Sequence, residues 1–162
     1  MLEGIQVLCH SSIVIQRDKK IYIDPFKIDK KYNDADVIFI THSHYDHFSP
    51  EDIEKVIKED TVIVATNDLE EKLKQMNFFN DNIVLVRPDN KYNVLGVKVE
   101  TIPSYNINKK FHPKSNEWVG YILKIDNITY YIPGDTDITN ENRKVKCDVA
   151  FVPVRRNIYY GF

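Results

Sequence analysis

Six residues, His42 to His47, hold three histidines and one aspartate in the stretch THSHYDHFSP. Imidazole nitrogen is the commonest side-chain ligand of zinc, and carboxylate oxygen also serves. In an extended chain alternate side chains point the same way, so His42 and His44 can grip one ion. Asp46 and His47 then face a second ion or a water held by it. Four such groups at this spacing point to a metal centre rather than a polar surface loop. Elsewhere, Asp135 lies in PGDTD and His112 in FHPK. Taken alone, Asp135 reads as a turn residue; beside the cluster it reads as a ligand. His112 fits a surface loop as well as a site. His10, after a strand, reads as satisfying backbone groups, and Asp24, before Pro25, as half of a turn pair. Tyr105 and Trp118 read as cleft lining or as core.

The flanking elements would hold such a cluster. ADVIFIT (35–41) is a continuous apolar run, as in a strand buried on both faces. SPEDIEKVIK follows, with Ser49 as a helix N-cap, Pro50 at the first helical position, and Ile53, Val56 and Ile57 on one face. Ligands between a buried strand and a capped helix are preorganised. Further strands are predicted at 5–10, 12–17, 19–24, 61–66, 82–86, 97–103, 118–125, 128–132 and 147–152, with a turn at Asp18-Lys19. A capped helix is predicted over 67–76, with Leu69, Leu73 and Met76 on one side. NKYN, NVLG and IDN read as turns. The class is α/β with a large antiparallel share.

Composition narrows the partners. The 162 residues carry 43% hydrophobic and 28% charged residues and a formal net charge of -2, as for a single soluble domain without a basic field for nucleic acid. Apolar runs are too short to span a bilayer, and MLEGIQVLCH lacks a signal-peptide pattern. Two cysteines, Cys9 and Cys147, without CxxC spacing, favour a reducing cytoplasm.

THSHYDH resembles the HxHxDH signature of the metallo-β-lactamase superfamily. CHSSIVIQRDKKIYIDPF resembles that family's opening strands. IPSYNINKKFHPKSNEWVGYIL and YYIPGDTD resemble a subgroup of small bacterial metal-dependent hydrolases related to the ascorbate-6-phosphate lactonase branch. The resemblance implies an αββα sandwich. It implies a first metal on His42, His44 and His112, a second on Asp46 and His47, and Asp135 bridging them. His10 and Asp24 would orient the ligand loop by hydrogen bonds. Two ions about 3.5–4 Å apart, zinc or alternatively manganese or iron, would activate a water against an ester, lactone, amide or phosphoester. Asp46 would hold that nucleophile and pass a proton to the leaving group.

Relatives in this family run on after DVAxxPV with a GGxYTM segment, a helix, a strand and a closing histidine. Here VPVRRNIYYGF follows, and the five histidines end at His112. With a suitable codon choice, a one-base slip in Arg155–Phe162 restores Gly-Gly-x-Tyr-Thr-Met. The expectation is one domain over 1–162, truncated after about 154 and lacking the last helix and strand elements. An uncovered second sheet would then favour a homodimer. The partners expected are a small-molecule substrate, with no nucleic acid and no membrane. The alternative to a hydrolase is a non-catalytic remnant that binds metal and self-associates.

Overall fold

The computed structural model describes residues 3–76 and 82–153. The segment from 154 onward, on which the truncation and frame-slip expectations rest, lies outside them.

Six strands form the first sheet in chain order: β1 (Ile5–Cys9), β2 (Ser12–Gln16), β3 (Lys20–Ile23), β4 (Val37–Phe39), β5 (Val62–Thr66) and β6 (Ile83–Val86). The first three pair antiparallel, and β3 to β6 run parallel. A parallel step needs a crossover. The β4–β5 crossover carries helix α1 (Pro50–Val56), and the β5–β6 crossover carries helix α2 (Glu70–Lys74). The second sheet has the order β11-β10-β9-β8-β7, with β7 (Lys91–Val94), β8 (Val97–Pro103), β9 (Val119–Ile125), β10 (Ile128–Ile132) and β11 (Val149–Ala150). Only β10–β11 is parallel there.

Period-2 alternation sends Ile13, Ile15, Ile21, Ile23, Val37 and Phe39 inward, against Val99, Tyr121, Leu123 and Tyr130 of the second sheet. Phe39 and Tyr121 meet edge to face at 5.0 Å. The other face of the first sheet presents Tyr22, Ile38, Ile40, Ile63 and Ala65 to Ile53, Val56, Leu69 and Leu73. Strands β4 and β5 are thus covered on both faces, which accounts for their unbroken apolar sequence.

Two elements differ in kind from their sequence reading, and the strand expected over 147–152 shrinks to Val149–Ala150. NKYN is not a turn but β7, an edge strand in which Val94 alone is buried. Such a strand carries no alternating signal; its pairing with β8 imposes it. The helix expected over 67–76 begins as a 3-10 turn at Asn67–Leu69 before five α-helical residues. The hydroxyl of Thr66 donates to Asp68 Oδ1 at 2.6 Å, so it does not cap the helix.

The sheets are tied together at the C-terminal end of β4. Val119 N donates to Thr41 O at 3.3 Å, and Tyr121 Oη donates to Ile40 O at 2.8 Å. Gly134, with φ +64°, lets the loop after β10 close over this point. A Cβ there would stand 3.1 Å from Thr41 Cβ. The ligand loop leaves β4 at this junction.

Candidate metal centre

Ser49 accepts from Asp52 N and opens α1, fixing where the histidine loop ends. Asp52 is itself buried. It accepts from Lys27 N and Ile28 N at 2.9 Å each, and so binds the chain after Asp24 to the helix. The His42–His47 loop is therefore bounded on both sides.

Asp24, fully buried and in the left-handed region at φ 44°, organises the site. Its Oδ1 accepts from Thr41 N at 2.8 Å. Its Oδ2 accepts from the Thr41 hydroxyl at 2.8 Å and from His47 Nδ1 at 2.7 Å. With its proton committed to Asp24, the Thr41 oxygen accepts from His42 Nδ1 at 2.9 Å. Both imidazoles thus hold a proton on Nδ1 and turn Nε2 into the cleft.

Two groups of ligand atoms converge there, each within 4.8 Å: His42, His44 and His112, and His42, His47 and Asp135. Asp135 Oδ1 is 3.5 Å from His47 Nε2, and its Oδ2 is 3.9 Å from His112 Nε2. Asp46 Oδ2 stands 3.8 Å from His47 Nε2. His112 is buried at φ 61°, its loop held by Asn106 N donating to His112 O.

The electrostatics suit a cation. Burial, then the neighbouring His47, lowers the His42 pKa to about 2. Burial, then His44, also lowers that of His112. For His47, burial works against the charge, but Asp24 and then Asp135 outweigh it and raise it to about 10. The hydrogen bond from His47 lowers Asp135 to about 2 despite burial. His42 Nε2 is buried with no hydrogen-bond partner. A desolvated lone pair costs free energy unless something electropositive meets it. The residues present therefore fit a divalent metal ion.

Two contributors were not evident in the sequence. Thr41, which joins Asp24 to His42, looked like the end of an apolar run. Trp118 packs on His42, His44 and His112 with ring centroids 4.8–4.9 Å apart, while its Nε1 donates to Asp68 at 2.9 Å. Its place before a strand did not distinguish cleft from core. His10, expected to orient the ligand loop, makes no hydrogen bond among the described residues; it is exposed and stacks edge-on against Phe26 at 5.6 Å. His10 sits at φ 50° in the turn between β1 and β2. The Tyr105 hydroxyl donates to Glu141 at 3.0 Å, and its backbone bonds Thr136, next to Asp135. Cys9 and Cys147 are both free.

Two face-to-face sheets, with helices over the first and an imidazole and carboxylate cleft at their junction, define a mixed α/β protein with a candidate metal site. The chain belongs to the beta-lactamase superfamily: the family described as Beta-lactamase superfamily domain matches residues 4–162. A metal-dependent hydrolase of Thermococcus kodakarensis is 26% identical over 169 residues, covering 97% of this chain and 74% of that protein. One of Pyrococcus horikoshii is 27% identical, with the same coverage. Among solved structures, a protein of Parabacteroides distasonis described as a metal-dependent hydrolase superposes with a TM-score of 0.79 at 30% identity, covering 94% of this chain and 70% of that one. The two-sheet fold and the metal-type site agree with this membership.

Proposed function

We propose that the chain is a divalent-metal-dependent hydrolase acting on an ester, lactone, amide or phosphoester, with zinc as the metal and manganese or iron as alternatives. The unpartnered, buried Nε2 of His42, beside His44 and His112, is the observation that carries this reading. The family's described hydrolases support it. When bound, the metal supplies Lewis acidity and brings the pKa of water close to neutrality. The chain's own residues do the rest. Asp24 and Thr41 fix the tautomers and aim of His47 and His42. Asp135, between His47 and His112, would offset the cation's charge. Asp46 Oδ2, a quarter exposed at the cleft, takes a proton from the attacking water and returns it to the leaving group.

Elemental analysis of the purified chain, paired with turnover of p-nitrophenyl esters, lactones and phosphodiesters, tests this. Bound metal with turnover lost in Asp46→Ala is expected. At most one ion per chain and no turnover of any substrate would favour a metal-binding role alone. We propose, in addition, self-association through the outer face of the second sheet. The reading is supported by the groove of about 690 Å³ there, where Tyr92, Ile102 and Val145 are among the lining side chains.

A further inference from the structure

A cavity of about 400 Å³ opens beside the carboxylate side of the metal centre. That is a size typical of small-molecule sites. One end is polar, formed by Asp46, His47 and Asp135. The walls include Val7, Ile13, Ile132 and Phe151. Val7 is 63% exposed, on a strand whose partner residues are buried. From His10 in the lining, a ladder of rings runs to Phe26 at 5.6 Å and on to Tyr45 at 6.0 Å. Tyr45 is 77% exposed. Apolar groups left in water around a polar reaction centre mark a binding surface.

The charges are as informative as the walls. Among the described residues, no lysine or arginine lines this cavity. Lys27 lies over the Phe26 ring at 5.4 Å, outside that lining. Sites for phosphoryl groups ordinarily supply arginine, lysine or a helix N-terminus. Beyond the groups of the metal centre itself, the described lining offers none of these.

We propose that the cavity takes the uncharged hydrocarbon or aryl body of a neutral acyl substrate (an ester, lactone or amide) rather than a phosphoester. The inference rests on the hydrolytic reading of the metal centre. In ester cleavage the water oxygen bonds to the acyl carbon and the bond to the alcohol oxygen breaks. One water proton goes to the alcohol and the other stays with the acid.

Two measurements on the metal-loaded chain test it. The first is kcat/KM across p-nitrophenyl acetate, butyrate and hexanoate, against bis-p-nitrophenyl phosphate. The second is calorimetric binding of acetohydroxamate, butyrohydroxamate and hexanohydroxamate, which needs no turnover. Burying a methylene corresponds to about a fourfold gain, so each added methylene should raise both quantities up to fourfold. Val7→Asp should flatten both series. Turnover that ignores chain length or favours the phosphodiester overturns the proposal, as does flat hydroxamate affinity. Hydroxamate affinity rising with length, without turnover of any ester, sustains the cavity's assignment while removing the hydrolytic reading.

Discussion

At the scale of single residues, the centre is governed by where four protons are kept. His42 is held neutral, with a pKa lowered to about 2, and so offers Nε2 at any ordinary pH. Asp135, lowered to about 2, is ionised throughout the same range. His47 is different: raised to about 10, it carries a proton on Nε2 at neutrality, between Asp24 and Asp135. An ion using that nitrogen must displace the proton. Below pH 10 its affinity for the His42, His47 and Asp135 group should therefore rise with pH, about tenfold per unit for one proton released. Zinc titrations against a competing chelator at pH 6, 7 and 8 measure this, and a flat profile would contradict the assignment. Thr41→Val keeps the backbone bond to Asp24 but leaves His42 Nδ1 without its acceptor. Metal affinity should fall about 10- to 100-fold, as when partners behind ligands are lost, and stability by about 1–3 kcal/mol. Unchanged affinity in that variant would mean that the hydroxyl does not set the His42 tautomer. The four adjacent ligand candidates were legible in the sequence because their types and spacing are unusual. The Thr41 relay was not, since one hydroxyl at the end of VIFI signals nothing until its neighbours in space are known.

At the scale of elements, legibility followed burial. Strands β2 to β5 were readable because runs such as SIVI and VIFI are buried nearly throughout. The edge strand β7 and the 3-10 start of α2 were not, because pairing with β8 and the Thr66–Asp68 contact decide them. His112 could not be placed from sequence because a non-repeating loop with left-handed turns at Asn108, His112 and Glu117 delivers it. The loop after β10 delivers Asp135 in a comparable way, and Gly134 is its hinge point. Gly134→Ala meets both a positive φ and a 3.1 Å approach to Thr41 Cβ. A loss of about 1–2 kcal/mol is expected, and any shift of the loop moves Asp135 off His47. Urea unfolding and zinc affinity should thus worsen together. An alanine variant with native affinity would show that the loop absorbs the change elsewhere.

At the scale of the whole molecule, the two sheets end differently. The first has α1 and α2 over its outer face. Over the second, the described residues provide the 139–148 stretch with one 3-10 turn. Lys98 and Lys124 stand directly opposite each other on that face, and Lys144 and Lys146 border the same groove. Self-association across it brings like charges together, so it should be weak at low salt and strengthen as salt screens them. Sedimentation at 0.05 M and 0.5 M sodium chloride tests this; a monomer under both conditions at micromolar concentration would remove the proposed interface. No helix among the described residues is long and apolar enough to cross a membrane. The metal centre has its own meaning at this scale. His42, His44 and His47 descend from the first sheet, whereas His112 and Asp135 belong to loops of the second. An ion held by both would be a removable cross-link between distant parts of the chain, and the two halves would then unfold together. Free zinc at 100 times its dissociation constant should add about 2.7 kcal/mol to unfolding. Stripping it with a chelator should lower Tm, and should do so for both sheets at once.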